Sequence, residues 1–462
     1  MNEELLNRPL GALMRRFCIP CIVSLLVSCL YSIIDQIFVG NGIGYTANAA
    51  TGIIFPLTIL GLGISLWSGD GSAAAYSLNL GRNPDESIRR YVTSAVLMTL
   101  SCGLVFMAVY FLLEQPILHL LGAQEGTMQM AQTYGWIIMM FMPVSMLQNA
   151  LAPLIRAAGS PGYALAALCA GAILNIISDY LTVFVWQMGI AGAAWATISG
   201  QILSLILCLG YFAKRMEAPE KQKMKKPDMK LTGLICRLGL SSFISQISIV
   251  LITVLNNILL VHYGSQTVYG PDIPLAAFVV LMKLFQVVIC FAIGIAAGGQ
   301  PIAGVNYSAG KYSRVRMLLF RMCAVIFVIS AASTLAFELF PRPFVAMFGA
   351  DDPLYVEFAI KVLRIYLSMT VLTCLQRVCA IFMQSIGQAV KAAFLSLLRD
   401  GLLAVFSLIL PLFSGLDGIF FAAPCADLTA FAITVIMIAH QLQTMKNLQN
   451  ISAAELKQSG VF

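Results

Sequence analysis

Leu30-Tyr31-Ser32-Ile33-Ile34-Asp35-Gln36-Ile37-Phe38-Val39-Gly40 closes an apolar run that begins near Leu13, with Arg15 and Arg16 at its start and Asp35 as its only acid. A run of this length crosses the hydrocarbon of a bilayer, about 30 Å thick, as a helix. A carboxylate at that depth costs about 2.5–3.5 kcal/mol on insertion scales, so Asp35 is expected to face a polar interior or a pathway. The rest of the chain has the same texture. Of its 462 residues 59% are hydrophobic and 11% charged, and the mean hydropathy is +0.87. Soluble chains carry about 25% charged residues, so the composition is that of an all-α integral membrane protein.

Apolar runs of about 20 residues lie at 13–39, 47–74, 92–114, 131–155, 163–186, 190–213, 235–262, 274–302, 316–339, 357–385, 389–412 and 416–442. Twelve transmembrane helices follow. Pro20 and Pro143 fall inside spans and are expected to kink them. The 12 cysteines sit almost wholly in these runs and read as small buried hydrophobes. Cys18 and Cys21 form a CxxC with no His or second CxxC beside it, so no metal centre is expected.

Orientation follows from the basic residues. Twenty-two Lys and Arg flank the spans on the side where the chain starts, from Arg8, Arg15 and Arg16 through Arg156 to Lys446 and Lys457; Arg342, Lys361 and Arg364 mark the other side. Both termini are therefore expected in the cytoplasm. The net charge of +7 reflects this topology and no nucleic-acid partner. The expected organisation is an N-lobe over 1–213 and a basic linker over 214–230, holding Lys221, Lys223, Lys225 and Lys226. A C-lobe over 231–442 and a tail over 443–462 follow.

The lobes repeat. Gly122 and Gly349 lie in matching loops (349 − 122 = 227), and Gly189-x-x-Gly192 matches Gly415-x-x-Gly418 (415 − 189 = 226). Asp35 aligns with Asn256 (256 − 35 = 221). Six helices per half start each half on the same side, which makes two pseudo-symmetric six-helix bundles of a parallel repeat. Carriers built this way hold their cargo between the halves.

Asp35 lies 19 residues past Arg16, about 29 Å along a helix, and Asp179 lies 16 past Tyr163, about 24 Å. Asn175 shares a face with Asp179, four residues on. Two carboxyls and an amide at one depth suit a proton or an alkali cation; the other reading is that the acids only cap or bridge helices. The second half has Lys283, Arg399, Asp400 and Asp427 inside spans, with neutral Asn256 opposite Asp35. These five form either a charge-paired interior or a coupling or substrate network. Asp70, between Gly69 and Gly71 near the inner end of helix 2, reads as a packing or gating residue or as a simply solvated one. Met139, Met140, Met142 and Met146 line a cavity or fill the core.

Ile19-Pro20, Ile34-Asp35-Gln36-Ile37-Phe38-Val39-Gly40 and Gly52-Ile53-Ile54-Phe55-Pro56 now join a longer ordered set. Arg156-Ala157-Ala158-Gly159-Ser160-Pro161, Asn175-Ile176-Ile177-Ser178-Asp179, Gly189-Ile190-Ala191-Gly192-Ala193-Ala194-Trp195-Ala196-Thr197 and Gln300-Pro301-Ile302-Ala303-Gly304-Val305-Asn306-Tyr307 complete it. Over about residues 8–442 the chain resembles the multidrug and toxic compound extrusion (MATE) family, in the branch of DinF- and MepA-type exporters. The resemblance implies a V-shaped pair of lobes in the plasma (cytoplasmic) membrane of a bacterium. It also implies antiport of organic, mostly cationic amphipathic compounds against H⁺, with Na⁺ as the alternative ion. The working unit is expected to be a monomer in the lipid bilayer, with no cofactor. Asp35, Asn175 and Asp179 match the family's coupling residues, whereas Asn256 stands where the NorM-like branch has an acid. Two rivals remain. A lipid or lipid-linked oligosaccharide flippase is expected to carry a more cationic cavity and extra helices. A membrane enzyme needs converging catalytic groups, yet His119, His262 and His440 are scattered near span ends.

Overall fold

A computed structural model describes residues 2–43, 45–83, 86–121, 123, 125–216, 229–270, 272–347 and 353–458. Lys221, Lys223, Lys225 and Lys226 of the basic segment and the Gly122 and Gly349 loop pair lie outside them. Every regular element among the described residues is a helix. In order these are α1 (Asn2–Asn7), α2 (Leu10–Gly42), α3 (Tyr45–Arg82), α4 (Arg89–Leu112), α5 (Glu114–Leu120), α6 (Glu125–Met140), α7 (Met142–Ala157) and α8 (Pro161–Asp179). A π-helical segment (Tyr180–Val185) follows, then α9 (Gly189–Met216), α10 (Met229–Gly264), α11 (Asp272–Ser308), α12 (Tyr312–Leu339) and α13 (Pro341–Ala346). The chain ends with α14 (Pro353–Leu367), α15 (Thr370–Ser385), α16 (Ala389–Ile409), α17 (Pro411–Ser414) and α18 (Leu416–Gln458).

Ten helices are long and apolar enough to cross a membrane, and two bent pairs bring the number to twelve. α6 and α7 meet at 52°, and α14 and α15 at 44°. Pro143 explains the first break: it has no N–H for the carbonyl of Met139, and Phe141 leaves helical geometry at φ −100°, ψ 8°. The second break has no proline. There the Ser368 hydroxyl donates to the Ile365 carbonyl and the Thr370 hydroxyl to the Leu367 carbonyl, each at 2.8 Å, offering the backbone an alternative to the next helical bond. Pro20, by contrast, lies within one unbroken helix, α2.

Packing divides the chain into two units, one of Arg15–Ile247 and one of Asn2–Met14 with Ser248–Phe462. The division falls inside α2 and α10, not in the polar 214–230 segment, because the first half of α10 packs on α3.

In the first unit, Met139, Met142 and Met146 are core residues with Ile54, Leu57, Val183 and Ile198, whereas Met140 points outward. α8 and α9 cross at Gly171 and Gly200, where each glycine's missing Cβ space is filled by the other's carbonyl oxygen. Ser204 tightens the crossing by donating to the Ala167 carbonyl at 2.9 Å. Gly200→Ala therefore forces backbone against backbone, and is expected to cost about 1–3 kcal/mol, read as a lower melting temperature of the detergent-purified protein.

The second unit repeats the plan. α7 ends with Gly159 at φ +89°, and the Ser160 N–H bonds the Ile155 carbonyl; α15 ends with Gly387 at φ +83°, and the Gln388 N–H bonds the Met383 carbonyl. Both are six-to-one Schellman closures around a left-handed glycine. The α16–α18 contact corresponds to the α8–α9 crossing, with Arg399 aligned to Gly171 (399 − 171 = 387 − 159 = 228).

Candidate functional site

α2 and α8 bring Asp35 and Asp179 together in the first unit. The two carboxyls lie against each other, and the Asn175 side chain lies against Asp179. Asp179 is fully buried and Asn175 nearly so, at 3% exposure, while Asp35 is half-buried. Nonetheless Asp35 Oδ1, both Asp179 oxygens and both polar atoms of Asn175 complete no hydrogen bond. No lysine or arginine of the described residues pairs with either acid. Buried polar atoms are rarely left this way. Two adjacent carboxyls away from water need a counter-charge, either a proton or a small cation.

Two tyrosines lie at the cluster, and sequence reasoning did not single them out as site residues. Tyr31 is one turn before Asp35 on α2 and interacts with it and with Ser28; the four-residue spacing was the available signal. Tyr134, on α6, lies near both carboxyls and meets the Thr197 side chain of α9. Nothing in the local sequence marks Tyr134.

The backbone is also unusual here. Asp179 ends the α-helical part of its span, and the next six residues are π-helical. Such segments are rare and collect at functional sites. The C-terminal end of α2 rests on this segment: Phe38 meets Phe184 edge-on at 5.7 Å, and Gly42 closes on Val183. The Ser145 hydroxyl donates to the Gln201 side chain and Ser199 to Ser178 at 3.2 Å, so polar links tie α7, α8 and α9 around the cluster.

In the second unit the five intramembrane candidates separate. Arg399 Nε donates to Asp427 Oδ1 at 2.8 Å, and Arg399 Nη1 lies 3.5 Å from Asp400 Oδ1. Phe285 covers the guanidinium at 5.5 Å and Tyr366 lies beside it. All three charged side chains are at most 6% exposed. Lys283 is half-buried. Asn256 is buried on α10 with both amide atoms unpartnered. All 12 cysteines are free, and no group of metal-ligating side chains occurs among the described residues.

A membrane protein of two six-span repeats with an unpaired acidic cluster inside one of them has the organisation of a membrane transporter. The chain belongs to the MatE family of transporters, whose model matches residues 20–181 and 242–409. It is 23% identical over 437 residues to the multidrug export protein MepA of Staphylococcus aureus (strain MSSA476), covering 94% of each chain. It is 21% identical to MepA of Staphylococcus saprophyticus, covering 93% of each. Among solved structures it matches a multidrug resistance MATE family transporter in an outward-facing conformation, with a TM-score of 0.88, 20% identity and coverage of 96% of this chain and 98% of that one. A MOP superfamily transporter from Pyrococcus furiosus, described as having a binding pocket of reverse polarity, matches with TM-score 0.88, 19% identity and coverage of 96% and 98%.

Proposed function

We propose that this protein exports organic, mostly cationic amphipathic compounds in exchange for protons, with Asp35, Asp179 and Asn175 as the coupling site. The observation that carries this reading is the set of unsatisfied carboxyl oxygens of Asp35 and Asp179 at membrane depth, with no basic side chain to neutralise them. A group that binds and releases a proton every cycle has to lack a permanent counter-ion, and this pair lacks one. MepA's description as a multidrug export protein supports the substrate class.

Proton loading cancels one negative charge beside Tyr31 and Tyr134 and lets the carboxyls share a hydrogen bond. Proton release restores repulsion between them. α2 carries one acid and α8 the other, so the separation of the two helices follows the charge state. The π-helical turn beyond Asp179, on which Phe38 and Gly42 of α2 rest, gives that separation a route to the C-terminal end of α2. Na⁺ is the second reading, because Asn175 Oδ1 adds a neutral oxygen to the carboxyls. The neutral Asn256 in the second unit supports placing the coupling acids in the first unit alone.

Reconstituted vesicles given a pH gradient without Na⁺, and a Na⁺ gradient without ΔpH, decide between the ions. Ethidium export is expected with the pH gradient only. Export with the Na⁺ gradient only would replace the proton by Na⁺ at the same residues.

A further inference from the structure

The first half of α10 opens the second repeat in sequence but packs in the first unit, on α3. The two backbones touch. Gly71 closes on the Ile235 carbonyl and on Gly239, and Gly239 closes on the Trp67 carbonyl, so a methyl group at either glycine overlaps main chain. Trp67 stacks on Phe243 at 5.4 Å and its indole N–H donates to the Cys236 carbonyl at 2.8 Å. Between these contacts lies the single acid of α3, Asp70. The Ser242 hydroxyl of α10 donates to Asp70 Oδ2 at 2.9 Å, and Arg156 Nη2, at the end of α7, lies 4.0 Å from Asp70 Oδ1.

We propose that Asp70, Arg156 and Ser242 form a latch that holds the second repeat's first helix on α3 and must release in every transport cycle. This rests on the reading of the chain as an alternating-access carrier, since such a carrier has to break contacts between its repeats on one face and then the other. Two features favour a latch over a permanent weld. The Asp70 and Arg156 side chains are both 20% exposed and 4.0 Å apart, a partly hydrated pair that water replaces at small cost. The arrangement is also reciprocal: the first repeat's opening residues pack in the second unit. There Asn306 Nδ2 donates to the Leu5 carbonyl at 3.1 Å, Lys311 Nζ to the Leu6 carbonyl at 3.1 Å, and Arg314 Nη2 to the Arg8 carbonyl at 2.7 Å. Each repeat thus lends its opening residues to the other unit, with polar bonds among the contacts that hold them. Asp70 is a positioning residue in this scheme and touches no cargo.

Cys236 is the natural reporter, because its thiol packs on the Met98 sulfur of α4 at 3.8 Å and its carbonyl holds Trp67. The experiment is N-ethylmaleimide labelling of the reconstituted full chain, read cysteine by cysteine by mass spectrometry. Asp70→Asn, Ser242→Ala and the wedge Gly239→Ala are each expected to raise the Cys236 labelling rate, by about tenfold where the released state is a minor one. Buried Cys374 of the second unit is expected to stay at the wild-type rate. An unchanged Cys236 rate in all three variants overturns the latch, and so does an equal rise at Cys374, which marks general loosening. Asp35→Asn provides the separation from the coupling reading: it tests proton use and leaves the Cys236 response to Asp70→Asn as it was.

Discussion

Asp179→Asn is expected to reduce pH-gradient-driven ethidium export to the level of protein-free vesicles, and Asp35→Asn to do the same. The amide keeps the shape of the carboxyl and removes its ability to hold and release a proton. Because the two acids act on one counter-charge, the double variant is expected to be no worse than either single one, the non-additivity of groups that work as a unit. Stability gives the control. Asp179 is fully buried with both oxygens unpartnered, so replacing it removes a desolvation cost rather than a bond. The melting temperature of Asp179→Asn should therefore equal or exceed that of the wild type. Undiminished ethidium export in Asp35→Asn would end the coupling scheme; a collapsed melting temperature in Asp179→Asn would show that the acid is structurally satisfied.

Arg399→Ala carries the largest expected loss of stability. It leaves Asp427 and Asp400 buried, at 2% and 4% exposure, without the cation between them. Removing one partner of a buried ion pair typically costs about 3–5 kcal/mol, whereas replacing the whole group by apolar residues of similar volume is often neutral. The triple variant Arg399→Met, Asp400→Asn, Asp427→Leu is accordingly expected to melt close to the wild type while Arg399→Ala melts far below it. Equal melting temperatures for Arg399→Ala and the wild type would mean that the two acids are neutralised by something other than the guanidinium. Phe285, which covers that guanidinium at 5.5 Å, loses its cation contact in either variant, so it does not confuse the comparison.

Much of the site's depth, and little of its width, was legible in the sequence. Helix rise is fixed by the backbone, so counting from Arg16 and from Tyr163 brings Asp35 and Asp179 to one level. Lateral neighbours depend on how helices rotate and cross, which is why Tyr134 and Thr197 went unnoticed. The same limit explains the second-half network: four charges and an amide were legible, but not that Arg399 pairs with Asp427 and Asp400. The broken span at Pro143 has a chemical mark in the sequence. Its counterpart near Ser368 and Met369 has none, because hydroxyls bonding back to the helix do what proline does elsewhere. The packing of α10 on α3 was also invisible. A helix that is apolar all round gives no periodic hint of the face it buries, and its glycines read as ordinary membrane glycines.

The α8–α9 and α16–α18 contacts hold a last implication. Where the first half sets one bare backbone on another at Gly171 and Gly200, the second sets a guanidinium between carboxylates. The first contact is held by close packing and the single Ser204 bond, whereas a bonded ion pair sits in a steep, directional well. Two halves of one ancestral design thus differ in compliance: the first is jointed where the second is riveted. Amide exchange should be slower in the middle of α16 and α18 than in the middle of α8 and α9.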